Sequence, residues 1–155
     1  MELDALYSSI KSARRKRLLW GFTQLYAPIA SNTEEGLRKL ELDGGYEFPI
    51  AVRSALLALG GCSVDDLYIH PAERIYSFDS ENGAMAGRVT FASDIFGNYF
   101  AFDPASNNPD EIYYYSHDPL GYALVSPTFT DYLRSFVSSG FKTLELTENL
   151  DLREP

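Results

Sequence analysis

Cysteine occurs once in the 155 residues, at Cys62, which excludes an intramolecular disulfide and any multi-cysteine zinc site and leaves a small buried thiol suited to a reducing compartment. Histidine occurs only at positions 70 and 117, neither in an H-x-x-x-H spacing. The glycines at 83, 87 and 97 form neither G-x-G-x-x-G nor a Walker loop, so the usual anion cradle of a nucleotide pocket is missing. No G-x-S-x-G elbow exists. No apolar run approaches the roughly 20 residues that span a bilayer, and no apolar signal core follows the N-terminal basic cluster. The expectation is a soluble, cytoplasmic chain with no membrane partner and no cofactor.

Positive charge is scarce over most of the chain. Lys11, Arg14, Arg15, Lys16 and Arg17 are five of the thirteen basic residues, whereas Asp43 to Asp131 holds thirteen acids against Arg53, Arg74 and Arg88, an excess of ten negative charges within a net charge of -9. Such a field repels nucleic acid and attracts basic partners. The run "KSARRKR" at 11–17 has the composition to touch nucleic acid or an acidic surface, but a single turn of charge on a helix reads first as a solvated face.

What is abundant is aromatic: 14% of residues, a share that favours strands. One domain covering 1–155 fits the length. Apolar residues from Leu3 to Tyr26 recur mostly at three- and four-residue spacing and predict a helix over 2–27, ended by Pro28. Asn32 or Thr33 caps a second helix to about Leu42; Pro49 opens a third, which Gly60 and Gly61 stop. Runs at 67–69 and 74–78, kinked by Pro71, read as edge strands, and "SENGAMAG" as a turn or short linking helix. A meander follows at 88–92, 99–103 and 111–116, then a brief strand at 123–125, a helix carrying Phe129, Tyr132, Leu133, Phe136 and Val137, and a tail with one further strand. Helices, then an antiparallel sheet, then a helix predict an α+β domain, a twisted antiparallel sheet with helices packed mainly on one side. Phe91, Phe100, Phe129 and Leu133 are expected in its core.

Catalytic arrangements are poorly supported. Ser116, His117 and Asp118 are adjacent in "YSHDP", but neighbouring strand residues point to opposite faces, which disfavours a triad. Asp65 with Asp66, and Asp94 with Asp103, lack the ligand order of a calcium loop. No catalytic or metal residue is expected, and the chain reads as a non-enzyme. "YYY" at 113–115 stands out instead, because tyrosine joins an apolar body to a hydrogen-bonding tip. Strand alternation buries either Tyr114 with Ile112 or the pair Tyr113 and Tyr115.

"FASDIFGNYFAFDP" at 91–104, with "EIYYYSHDP" and "SPTFTDYLRSF" beyond it, resembles the SUKH superfamily, the Smi/Knr-like proteins. The residues that carry the likeness are Ser93, Asp94, Gly97, Asn98, Tyr99 and Asp103, then Ile112 to Tyr115, His117, Asp118, and Thr128, Phe129, Tyr132 and Leu133. Upstream, "FPIAVRSALLALGG" resembles the family's helix and turn, and the likeness spans about 30–138. Ile95 and Phe96 depart from the glycine-rich spacing usual after the aspartate, Asn98 stands where an acid is frequent, and Gly60 replaces a common asparagine. The resemblance implies a protein-binding module: in bacteria an immunity protein that neutralises a partner toxin, often a nuclease, and in eukaryotic-type members a regulatory scaffold. The expected contact residues are Asp94, Asn98, Tyr99, Asp103, Tyr113, Tyr115, His117 and Asp118, with Asp94, Asp103, Asp118 and Tyr115 gathered in one acidic patch facing a cognate toxin or other basic protein.

Overall fold

The computed structural model describes residues 2–155. Helix α1 (Glu2–Lys11) is followed by a two-stranded hairpin, β1 (Arg14–Lys16) and β2 (Phe22–Gln24), then β3 (Tyr26–Ala30), α2 (Glu34–Gly44) and α3 (Ile50–Leu59). Six strands come next: β4 (Gly61–Val64), β5 (Leu67–Ile69), β6 (Val89–Asp94), β7 (Tyr99–Phe102), β8 (Ile112–His117) and β9 (Leu120–Ser126). Helices α4 (Phe129–Ser138) and α5 (Thr143–Thr147) complete the chain. Strands β3 to β9 form one antiparallel sheet in sequence order, and the helices supply a core on one of its faces. The fold is α+β, as the order of elements predicts.

Local chemistry explains the helix ends. The Thr33 hydroxyl accepts from the Gly36 N–H and starts α2, and the Thr128 hydroxyl accepts from Asp131 N–H and starts α4. Pro49 precedes α3, where its missing N–H costs nothing, and Gly60 closes that helix with φ +67°.

Three regions differ from the sequence-based expectation. The helix predicted over 2–27 ends at Lys11, because Leu18, Leu19 and Phe22 do not line a buried stripe: they are exposed on the β1–β2 hairpin. The run at 67–69 is an interior strand between β4 and β6, while 74–78 keeps only a single bridge, Ser77 to Val89. The tail forms α5 in place of a strand, since the Asp66 carboxylate accepts the Thr143 N–H at 3.0 and 3.1 Å; one bridge from Arg153 to Tyr122 on β9 remains.

The two sheet faces have different chemistry. Phe91, Phe100, Phe102, Ile112 and Tyr114 meet Val52 and Leu56 of α3 and Phe129, Tyr132, Leu133 and Phe136 of α4, with the Phe100 and Tyr132 rings 5.2 Å apart. The four expected core residues are buried, and of the two alternatives at 112–115 it is Tyr114 with Ile112 that faces the helices. The opposite face carries Tyr99, Tyr113, Tyr115 and Tyr122 around Phe78, Met85 and Ala101, covered in part by the 71–88 segment. There Arg88 lies 3.7 Å from the Tyr113 ring centre and 5.1 Å from that of Tyr122, and pairs with Asp103.

Two expectations follow. Phe100→Ala removes a fully buried ring from the most central strand pair and should lower stability by about 3 to 5 kcal/mol, read from denaturant midpoints. His70 is enclosed near Tyr68, Ser93 and Tyr99; burial, then the Arg74 charge, lower its pKa from 6.5 to about 4. The unfolded chain therefore binds the proton first as acid is added. Stability from keeping His70 neutral is complete above pH 6.5 and declines between 6.5 and 4, by on the order of 3 kcal/mol in all. Melting temperatures between pH 7.5 and 4.5 should fall less steeply for His70→Gln than for the native chain.

Candidate partner-binding site

The β6–β7 turn, residues 95–98, must reverse the chain within four residues, and Gly97 allows this with φ +81°. Asp94 locks the turn from inside: its Oδ1 accepts the N–H groups of Phe96 at 2.8 Å and Asn98 at 3.0 Å. Its Oδ2 accepts from Asn98 Nδ2 at 3.1 Å and from the Tyr114 hydroxyl at 3.2 Å. Asn98 Nδ2 also donates to Tyr114 Oη at 2.8 Å. With the amide nitrogen so committed, Asn98 Oδ1 is an acceptor only, and it takes the His117 backbone N–H at 3.2 Å and the ring Nδ1–H at 2.8 Å. His117 is therefore held with its Nδ1 as the donor of this bond. Burial, and then the Asp94 carboxylate, push the Tyr114 hydroxyl up to about 12, so it remains a donor across the physiological range.

One buried amide thus ties the β6–β7 turn to the β8–β9 turn beside it. Between these turns and α5 lies a recess of about 430 Å³, lined by Phe96, Asn98, Tyr114, Ser116, His117, Asp118, Pro119, Leu144, Thr147, Glu148 and Leu152. Its lining includes two carboxylates, Asp118 and Glu148, and no lysine or arginine. Around it Ile95, Phe96, Leu120 and Leu144 are each more than half exposed. Exposed apolar side chains grouped on turns beside a recess have the character of a contact surface.

The eight residues expected to contact a partner are divided by the strand register. Asp94, Asn98, Tyr99, Tyr115, His117 and Asp118 lie at this end of β6–β9, whereas Asp103 and Tyr113 lie at the far end of β7 and β8. The single acidic patch does not form, because four residues of extended chain, about 13 Å, separate the two ends. Asp94 and Asn98 are buried with their polar atoms engaged in the turn. Asp103 and Tyr113 hold Arg88, while Tyr99 and Tyr115 are half covered by Phe78. His117 and Asp118 remain exposed. A larger groove of about 790 Å³ lies at the Asp103 end, between the α2–α3 loop and the loop after β7; its lining mixes Arg38 with Glu41, Glu47 and Asp110 and holds none of the eight.

Sequence reasoning passed over Ile95, Phe96, Leu120, Leu144 and Glu148 as contact residues. A readable signal existed at Ile95 and Phe96: a two-residue apolar insert within a tight turn has nowhere to be buried. Leu144 and Glu148 gave none, since α5 itself was not foreseen.

The SMI1 / KNR4 family model (SUKH-1) matches residues 31–135. The chain belongs to this family. The expected span of about 30–138 agrees with the match, which takes in the two linked turns and most of α4 but neither the β1–β2 hairpin nor α5. No curated protein and no solved structure matches the chain. Family membership is consistent with a protein-binding module. Among the described residues, no group of three or more His, Cys, Asp and Glu is placed to hold a metal ion, and no helix is long and apolar enough to cross a membrane.

Asn98→Asp separates hydrogen bonding from packing, since the side chains are nearly the same size. It removes both donors to Asp94 and Tyr114 and sets a second carboxylate beside the first, so a loss of about 2 kcal/mol or more in unfolding free energy is expected, without loss of fold at neutral pH and low temperature.

Proposed function

We propose that the chain is a non-enzymatic binding module that neutralises a partner protein toxin, with the β6–β7 and β8–β9 turns and α5 as its docking end. The observation that carries this reading is the join of exposed Ile95, Phe96, Leu120 and Asp118, on turns that a buried hydrogen-bond network ties together, to Leu144 and Glu148 at α5 across the recess. Rigid apolar anchors lose little entropy on binding, and the carboxylates steer a basic surface toward them. A toxin nuclease fits, because its substrate groove must be basic to hold phosphates. A regulatory scaffold is the second reading; the basic β1–β2 hairpin favours it by offering a contact of opposite charge, outside the span matched to the family.

The test begins with the neighbouring gene, where a toxin domain is expected, and continues with co-expression of the two and binding kinetics. Growth rescue and a stable one-partner complex are expected; capture of several unrelated cellular proteins and no rescue would favour the scaffold. Phe96→Ser should weaken binding at least about tenfold, mainly through faster dissociation, as loss of a buried anchor does. Asp118→Asn with Glu148→Gln should slow association and flatten its dependence on salt, since screening acts on exposed charges beyond about 8 Å. Unchanged kinetics in all these folded variants would place the docking surface elsewhere.

A further inference from the structure

The β1–β2 hairpin is the most exposed part of the fold. Its tip carries Leu18, Leu19 and Trp20 at 99%, 87% and 81% exposure, with Phe22 beside them. The hairpin is nonetheless a defined element: three paired positions join its strands, Arg17 N–H donates to Gly21 O, and Arg15 pairs with Asp65 at 2.5 Å, fixing it to the body. Arg14 lies over the Phe22 ring at 5.0 Å, and Arg17 Nε donates to Thr23 Oγ1. Nothing in the family match accounts for this element, which lies outside it.

The order of chemistry along the hairpin matters more than its composition. The apolar residues form the far end, and Arg14 and Lys16 stand two to four residues behind Leu18, about 7 to 13 Å at the rise of a strand. A peripheral element that buries an apolar end about 5–10 Å deep in a bilayer brings residues at that distance to the level of the lipid phosphates. We propose that the hairpin docks on an anionic lipid bilayer surface, with Leu18, Leu19 and Trp20 entering the acyl boundary and Arg14, Lys16 and Arg17 meeting the headgroup phosphates.

Other occupants fit the arrangement less well. Nucleic acid must unstack its bases to receive aliphatic side chains, whereas the acyl boundary receives them directly. A folded partner would need a groove deep enough to enclose a tip exposed on all sides, whereas a bilayer closes around such a tip from every direction. The negative charge of the body is no obstacle to a projecting basic element once salt limits the field to about 8 Å. The expectation of no membrane partner rested on the absence of an apolar run long enough to span a bilayer; a hairpin that docks on the surface needs no such run.

Trp20 is the only tryptophan in the chain, so its emission reports on the tip alone. With vesicles of phosphatidylcholine containing about 30% phosphatidylserine, Trp20 emission should shift to the blue and the protein should co-sediment, and both effects should fall as salt rises. Pure phosphatidylcholine vesicles should give neither. Leu18→Ser with Leu19→Ser, and separately Lys16→Gln with Arg17→Gln, should each weaken partitioning at least about tenfold. The tip residues touch no core, so thermal unfolding of the leucine variant should match the native chain and exclude misfolding as the cause. Emission unmoved by anionic vesicles overturns the proposal, as does a blue shift that needs only a higher protein concentration, duplex DNA or a protein partner.

Discussion

Two-residue alternation through β7 and β8 is the constraint from which the rest of the molecule follows. It sends Phe100, Phe102, Ile112 and Tyr114 toward the helices and Tyr99, Ala101, Tyr113 and Tyr115 the other way. Both faces of these strands are thereby aromatic, so each must be covered. Helices α1, α3 and α4 cover one. The 71–88 segment, turned through two short 3-10 stretches, covers part of the other and brings Arg88 into contact with Tyr113. A one-residue slip between β7 and β8 would turn Tyr113 and Tyr115 toward the helices and Tyr114 outward, leaving Arg88 without the Tyr113 ring.

Scaffold and contact roles separate cleanly at the candidate site. Asp94, Asn98 and Tyr114 face inward and satisfy one another, and their joint effect is to hold His117 and two turns in a single arrangement. The residues left exposed are the neighbours these three cannot enclose: Ile95, Phe96, Asp118 and Leu120. Buried polar atoms with complete partners tolerate little change, whereas exposed turn residues are free to vary with the partner.

Much of the fold was legible in the residues. Thr33 and Pro49 mark helix starts, and the alternating aromatic strands at 99–102 and 112–117 announce themselves by period. The N-terminal third was harder, because Leu18, Leu19 and Phe22 mimic helical spacing without being buried, and nothing in periodicity distinguishes a core stripe from an exposed tip. Strand β4, "GCSV", is too short and too small in side chain to register. At the site, Asp94 and Asn98 were expected to face a partner because a carboxylate is ordinarily solvated; only the turn geometry shows that Asp94 engages both oxygens inside the fold, one with backbone N–H groups and the other with Asn98 and Tyr114. The split between Asp94 and Asp103 is a matter of strand length, which a list of turn residues does not convey.

The margins of the sheet carry a last consequence. At one margin β3 includes Pro28, which has no N–H to offer, and its pairing to β4 shifts register between Pro28 and Ala30. At the other, Arg153 exchanges both backbone hydrogen bonds with Tyr122 and occupies the middle of β9. Neither margin presents an uninterrupted ladder of vacant backbone groups. An added strand therefore meets an interrupted edge on either side of this sheet, which disfavours recognition by strand addition and the stacking of copies through it.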